Sequence, residues 1–359
     1  MGVMGEGRYV ACAATPDVIE REVAQLWQHA GMSDARIASK VRARLQWLYG
    51  TGNPYGPTRT WIVRDTQEAR VIGSASVCPR DLLLEGETLH AGVLVDFVVL
   101  PDHRTAGPAV TLQRAVARDA LSGPFSLIYG FPNHRALSVF QRVGHRALVK
   151  TVTWSRPLRA GQLLRRRLQA RLAGRPLGAH LTDLLGGALS PVVDWTLRGV
   201  TAGAALFGAL GAETSTLPRL EVGSAGCPGA AARDRLVPRR DPAYLGWRYS
   251  DHATEHYDFV TVHQRGRGLQ GYLVYRSQAH HAFVHDLVLC GTALEKSAAL
   301  ARMLLELSRA GLHSVSVTSA GTTGLERLLR RALFVPRVDE RALVASWTPG
   351  LARHAELLM

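Results

Sequence analysis

Residues 91–121 read AGVLVDFVVL, then PDHRTAGPAV, then TLQRAVARDAL. The first ten are dense in Val, Leu and Phe, as in a buried strand, and Pro101 stops them because proline cannot donate to a ladder. Beyond the loop the apolar residues fall at 109, 112, 116 and 120, the stripe of a helix lying on one face. A β-run that hands over to an amphipathic helix through a short loop restricts the chain to folds in which helices cover a sheet. It also makes a place for an anion. The first N–H groups of a helix have no intrahelical partner and carry the positive end of its dipole. Gly107 lets backbone approach closely, Pro108 lacks only an N–H that would be orphaned anyway, and Arg104 adds charge at the mouth. An ordinary βα turn fits the same letters.

The surrounding elements repeat. A helix at 18–31 precedes strands at 60–65, 69–77 and 91–100, the helix at 105–121, a strand at 126–132, a helix at 134–144 and a strand at 145–154. Strands return at 257–263, 270–276 and 282–289, followed by a helix at 292–311, a strand at 312–319, a helix at 324–334 and a strand at 341–347. QWLYGTGNPYG (46–56) and GWRYSDHATEHY (246–257) echo each other at matching places, each with Trp-x-Tyr before a turn. The order predicts an α+β fold used twice, a mixed and mostly antiparallel sheet flanked by helices. The segments are 1–155, a helical connector and linker at 156–241, and 242–359. In the connector, GQLLRRRLQARLAG (161–174) reads as a basic amphipathic helix, and 211–241 as a Gly-, Ala-, Pro- and Arg-rich linker.

Composition adds little to this. The net charge of +14 admits nucleic acid, an anionic membrane or an acidic ligand. Yet only Lys40, Lys150 and Lys296 are lysines, and an arginine-for-lysine skew of that kind is what GC-rich coding gives. Nucleic acid is therefore not expected as a partner. Weak contact of the 161–174 helix with a membrane surface is the sharper use of the charge, and a packed connector the plainer one. Cys12, Cys78, Cys227 and Cys290 lie far apart and read as thiols in a reducing cytoplasm, with neither a metal site nor a disulfide framework. No signal peptide is read at the N-terminus, and 199–211 is too short to cross a bilayer.

VVLPDHRTAGPAVTLQRAV resembles the coenzyme A signature of the GCN5-related N-acetyltransferase (GNAT) family. That signature is Arg/Gln-x-x-Gly-x-Gly/Ala after a strand ending in Val-x-Pro. Here it reads Arg104-Thr105-Ala106-Gly107-Pro108-Ala109 after Val99-Leu100-Pro101. PNHRALSVFQRVG resembles the second signature through Asn133, Ala136, Phe140 and Gly144. The resemblance covers roughly 8–155 and reaches 242–348 through element order alone. It implies two tandem GNAT-like domains, the second degenerate, and an acyl-CoA-dependent N-acyltransferase that uses acetyl-CoA or another acyl-CoA and no metal. It further implies that Phe97, Val98 and Val99 offer backbone hydrogen bonds to the pantetheine, that residues 104–109 hold the pyrophosphate, and that Asn133 touches the coenzyme arm.

An amine must be neutral to attack a thioester, and a lysine-like amine has a pKa near 10.4, so a base helps. Asp96 stands just before the strand edge where the resemblance implies an acid, with His103 as second choice; a buried carboxylate paired with an arginine reads equally well. The family's usual proton donor is a Tyr where this chain has Phe140, which leaves Tyr129, water, or loss of activity. The acceptor is expected to be the amine of a small molecule, sugar or peptide. It would lie in a cleft between the domains, lined by Trp47, Tyr49, Tyr55, Trp247 and Tyr249; core aromatics are the plainer reading of these five. Two other functions stay open. One is a non-catalytic binding protein of the same fold. The other is a FemAB-like transferase taking an aminoacyl group from tRNA. HHAFVHD (280–286) has the look of an HHxxxD motif, but its Asp comes one residue late and on the opposite strand face, so surface or core histidines are the reading.

Overall fold

The structure is a computed structural model that describes residues 7–30, 38–159, 199, 210–215, 236–264, 268–321 and 323–351. The basic helix read at 161–174 and most of the linker fall outside the described residues. The chain forms two compact units, and neither is continuous in sequence. The first comprises Met1–Thr151, Ala231–Glu255 and Asp339–Met359; the second comprises Val152–Ala230 and His256–Val338. The compact units thus differ from the segments read at 1–155 and 242–359. Periodicity marks elements, not which elements share a core.

In the first unit β1 (Tyr9–Ala13), β2 (Arg59–Asp65), β3 (Arg70–Leu84) and β4 (Glu87–Val99) form an antiparallel ladder. β5 (Leu127–Gly130) then joins β4 in parallel. Residues 344–347 of the chain's last strand, β13 (Val335–Trp347), pair antiparallel with β5. Helical turns α1 (Pro16–Val18) and α2 (Ala24–His29), linked by a π-helical turn, precede α3 (Ala38–Tyr49). α4 (Ala106–Leu121) follows β4, and α5 (His134–Arg142) follows β5. The stripe read from the sequence is the buried face of α4: Ala109, Leu112, Val116 and Ala120 all lie in the core. Leu112, Val116 and Ala120 share one cluster with Trp27, Ile62, Ile72 and Ile128, so the helix is held by apolar contact with the sheet.

The second unit repeats the plan. Residues 152–157 of β6 (Arg146–Pro157) pair antiparallel with β12 (Ser314–Ser319), which lies parallel to β11 (His281–Leu289). β10 (Gly268–Gln278), β9 (Asp258–Gln264) and β7 (Leu210–Ser215) continue antiparallel. The short strand β8 (Val237–Pro238), which pairs antiparallel with β3, and α6 (Pro242–Leu245) fall in the first unit, while α7 (Ala293–Arg309) and α8 (Thr323–Arg331) fall in the second. The correspondence reaches into the turns. Glu85 and Gly86 both have positive φ at the β3–β4 hairpin, and Ala279 and His280 both have it at the β10–β11 hairpin. Among the described residues each unit therefore has one parallel pair in an otherwise antiparallel ladder, the mixed α+β arrangement read from the sequence.

Cys12 and Cys78 are thiols, whereas Cys290 is disulfide-bonded, which corrects the expectation of four thiols. Spacing along the chain carries no signal for two sulfurs meeting in space.

Candidate functional site

The site begins with a break in a ladder. β4 and β5 pair at Ala91↔Leu127, Gly92↔Ile128 and Val93↔Tyr129, and then part. At the parting a Cβ on Gly130 would approach Leu94 Cβ to 3.0 Å, so glycine lets the strands stay close up to that point. Just beyond, β4 carries a bulge. Ser76 pairs with Val95 and Ser74 with Val98, so Ala75 alone faces Asp96 and Phe97. Asp96 takes a φ of 52°, a left-handed conformation uncommon for a non-glycine residue. The bulge re-aims both side chains into the fork between the strands.

The fork opens a cavity of about 210 Å³, walled by Asp96 and Phe97 of β4, Gln113 of α4, Phe131 and Asn133 after β5, and Phe140 of α5. Phe140 is buried and meets Phe97 edge-on, with ring centroids 5.6 Å apart. It supplies shape and no proton. Asn133 is the N-cap of α5, accepts from the Ala136 N–H at 3.0 Å and lines the cavity.

Asp96 is held from the other side of the bulge. Arg44 of α3 donates to Oδ1 at 2.7 Å, and the Tyr49 hydroxyl donates to Oδ2 at 3.0 Å. The Asp96 side chain is only 5% exposed. Both readings of Asp96 thus meet in one residue: it is a buried, arginine-paired carboxylate, and it lines the cavity. The Tyr49 oxygen also lies 2.9 Å from Ser76 Oγ, which is 3.0 Å from Thr60 Oγ1. Burial, above all, pushes the Tyr49 phenol well above its ordinary range, and the neighbouring Asp96 carboxylate pushes it the same way. Tyr49 therefore keeps its proton and directs it at Asp96. Tyr49 also lines a second cavity of about 1060 Å³, bounded among the described residues by Arg21, Arg42, Leu45, Thr60, Trp61 and Asp119 among others.

Beyond β4 the chain passes through a short loop to the start of α4. Thr105 is its N-cap and makes no side-chain hydrogen bond to the first turn, so Ala106 and Gly107 present backbone donors with no capping side chain. Gly107 does not take a positive φ, and a Cβ there would make only van der Waals contact with the Tyr9 ring at 3.4 Å. The fold itself thus does not require a glycine at this position. Val98 and Val99 are buried in the ladder with β3, and Arg104 folds back to donate to the Val99 carbonyl at 3.1 Å. The corresponding α7 of the second unit differs. Thr292 and Glu295 form a reciprocal capping box, with Glu295 Oε2 accepting from the Thr292 N–H at 2.7 Å. A carboxylate already stands where an anion would sit, and a Cβ on Gly291 would collide with it.

Other residues singled out in the sequence lie elsewhere. His103 is buried beside Glu68 (3.4 Å), Arg70 (3.2 Å) and Asp65 (3.8 Å), does not line the fork, and so is not brought to Asp96. Asp65, Glu68 and His103 have their ligand-type atoms within 4.8 Å of one another, but Arg8 already bonds Asp65 at 2.8 Å. Tyr129 packs beside Leu82, Ala91 and Leu127 in a satellite cluster, its phenol raised by burial, and also does not line the fork. Its place on β5 precedes the parting of the strands, which is why it misses the cavity.

Of the five aromatics expected to line a cleft, Trp47, Trp247 and Tyr249 are buried. Trp47 and Trp247 stack at 5.1 Å, and each indole N–H donates to the other's backbone carbonyl, at 2.8 and 3.2 Å. Tyr55 donates to Asp241 at 2.8 Å. These four are packing residues because every polar tip has a protein partner or a buried ring around it; Tyr49 alone reaches the site. His281 sits between Ser314 and Ser316, at 2.6 and 2.8 Å, as a satisfied strand histidine.

No protein-family model matches the chain, and no curated protein matches its sequence. Solved structures do. A GCN5-related N-acetyltransferase from Anabaena variabilis ATCC 29413 superimposes with a TM-score of 0.60 at 12% identity, covering 94% of this chain and 72% of that one. Saccharomyces cerevisiae N-myristoyltransferase with bound myristoyl-CoA gives 0.54 at 10% identity, over 96% of this chain and 79% of that one. A tandem GNAT protein from the clavulanic acid biosynthesis pathway gives 0.50 at 13% identity, over 94% of this chain and 98% of that one. The chain has the GCN5-related N-acetyltransferase fold, in its tandem form.

Proposed function

We propose that the chain is an acyl-CoA-dependent N-acyltransferase whose chemistry is carried by the first unit. The observation that carries this reading is the β4–β5 fork: it opens at a bulge bearing a buried carboxylate, on the strand that leads into the uncapped start of α4. The residues present fit the coenzyme. The backbone donors of Ala106 and Gly107 would meet the pyrophosphate within the loop 104–109, with Gly107 clearing its path. The β4 edge from Asp96 to Val99 would face the pantetheine, and Asn133 would stand at the rim. Coenzyme A, when bound, supplies the acyl group as a thioester.

Asp96 then does the protein's share of the proton work. Arg44 and Tyr49 fix its two oxygens, and a carboxylate still has lone pairs left to orient and deprotonate an incoming amine. The nitrogen forms the new C–N bond, the C–S bond breaks, Asp96 takes the amine's proton, and the leaving thiolate takes one from water. A thiol pKa of ~8.5 makes that last step undemanding, so Phe140 does not forbid the reaction. The larger cavity, which Tyr49 also lines, is the acceptor's approach, and its mixed arginine and carboxylate lining suits a polar primary amine on a small molecule, sugar or peptide.

Calorimetric titration of acetyl-CoA into the protein and a Gly107→Glu variant tests this reading. Micromolar binding by the native chain, weakened at least about tenfold by a carboxylate at the cradle, is the expected result. Native protein that binds neither acetyl-CoA nor a longer acyl-CoA sinks the proposal. The engagement of Asp96 by Arg44 favours one other reading, a coenzyme-binding protein without turnover. Binding together with no product across a panel of amines would establish it.

A further inference from the structure

Gln113 is the least expected residue of the fork. It lies on α4 among Ala109, Leu112 and Val116, has no exposed surface, and forms part of the cavity wall. Neither its Oε1 nor its Nε2 has a hydrogen-bond partner among the described residues. The other polar side chains of the wall are engaged. Ser76 contacts Tyr49 and Thr60, Asp96 is bonded by Arg44 and Tyr49, and the Asn133 oxygen caps α5. A buried amide with both ends unpaired weakens the fold that contains it, and methionine would fill the same volume without that cost. A chain that keeps such a residue at a cavity wall keeps it for something that enters the cavity.

Its position says which part of a ligand it meets. Gln113 is seven residues into α4, roughly 10 Å along the helix from the cradle at its start. It shares the wall with Asp96 and Phe97, where the reacting carbonyl must stand if Asp96 is to reach the amine. An amide both donates and accepts, so its complement is a neutral group that does the same. A carboxylate could only accept and would face Asp96; a plain alkyl chain would leave both buried amide atoms unpaired. The cavity of about 210 Å³ corresponds to about seven water-sized groups at ~30 Å³ each, enough for the thioester end and a chain of a few carbons.

Building on the acyl-CoA reading above, we propose that Gln113 is the donor-selecting residue and that the acyl group is short and bears a hydroxyl, which pairs with the Gln113 amide. The coenzyme's own arm also carries neutral amides, and the experiment separates the two sources. CoA, butyryl-CoA and 3-hydroxybutyryl-CoA are titrated calorimetrically into the native protein and a Gln113→Met variant, and both proteins are melted without ligand. The native protein should bind the hydroxyacyl thioester at least about tenfold more tightly than its alkyl counterpart. The Met variant should lose that preference, bind CoA unchanged, and melt at a higher temperature. Equal affinity for the two thioesters in the native protein overturns the inference, with no variant needed. So does a preference that survives in Gln113→Met. Parallel weakening of CoA and both thioesters in the variant assigns the amide to the coenzyme arm and overturns acyl selection. Failure of the native protein to bind any of the three also removes the acyl-CoA reading, whereas the other failures leave that reading standing.

Discussion

Asp96 combines three properties that seldom coincide: a left-handed backbone, near-complete burial and a place on a cavity wall. Removing its charge while keeping its shape is therefore informative. Asp96→Asn should lower kcat by about 100-fold or more, the usual contribution of a positioned base, while acetyl-CoA affinity in calorimetry stays near the native value. Tyr49→Phe removes one of the two groups that orient Asp96 and should lower kcat by about tenfold with little change in coenzyme affinity, as befits a positioning residue; equal losses in kcat and coenzyme binding would mark it as structural. His145 offers a test by pH. It lies buried against Phe140, accepts or donates one hydrogen bond with Ser346 at 2.9 Å, and burial lowers its pKa to about 4. The folded imidazole thus resists a proton that the unfolded one takes up near pH 6.5. Stability is intact above that pH and falls as pH drops toward 4, by about 2 kcal/mol at pH 5. Denaturant titrations at pH 7.5 and 5 should show that loss in the native protein and its absence in His145→Phe. Tyr49 could be singled out from its letters only as an aromatic near a turn, because its partner Asp96 lies 47 residues away and is delivered by a bulge. Gln113 gave no signal at all: a glutamine beside an apolar stripe reads as the solvent side of a helix, and only the packing of α5 and the fork buries it.

The two corresponding helices, α4 and α7, show how one element can be tuned in opposite ways. α7 satisfies its own first turn with Thr292 and Glu295, while α4 leaves that work undone. Thr292→Ala should cost the second unit about 1 kcal/mol and leave acetyl-CoA affinity unchanged, measured by denaturation and calorimetry in parallel. A loss of coenzyme binding would mean that the second helix, too, serves the ligand. At this scale the sequence was largely legible. The stripe at 109, 112, 116 and 120 fixed the buried face of α4, and Pro101 and Gly107 marked the turn. The β3–β4 hairpin was not, and β3 runs on to Leu84 rather than ending near 77. Its turn is Glu85-Gly86 with both φ positive, and glutamate at the first position lacks the Asn or Asp that ordinarily announces such a turn. The bulge at Asp96 was equally silent, since a two-against-one register has no mark in the alternation of a buried strand.

At the scale of the molecule the duplicated order could be read, but the division into units could not. The first unit takes residues 231–255 and 339–359 from the far half of the chain. A fragment of residues 1–155 would leave β5 without the strand at 344–347 and Trp47 without Trp247. Such a fragment should be insoluble or should lack a cooperative melting transition, whereas the full chain should melt cooperatively; a soluble, cooperatively melting 1–155 would contradict the division. Repetition in the sequence was visible because it is local, while membership of a core depends on contacts that span 200 residues. The reciprocal pairing of Trp47 and Trp247 also has an optical side. Two indoles stacked at 5.1 Å and tilted by 16° are placed to couple their intense transitions, so the pair should give the far-ultraviolet circular dichroism of the protein a couplet that neither chromophore produces alone. That couplet vanishes when either ring is replaced. The chain thus carries an intrinsic gauge, readable without labels, of whether residues two hundred positions apart have found each other.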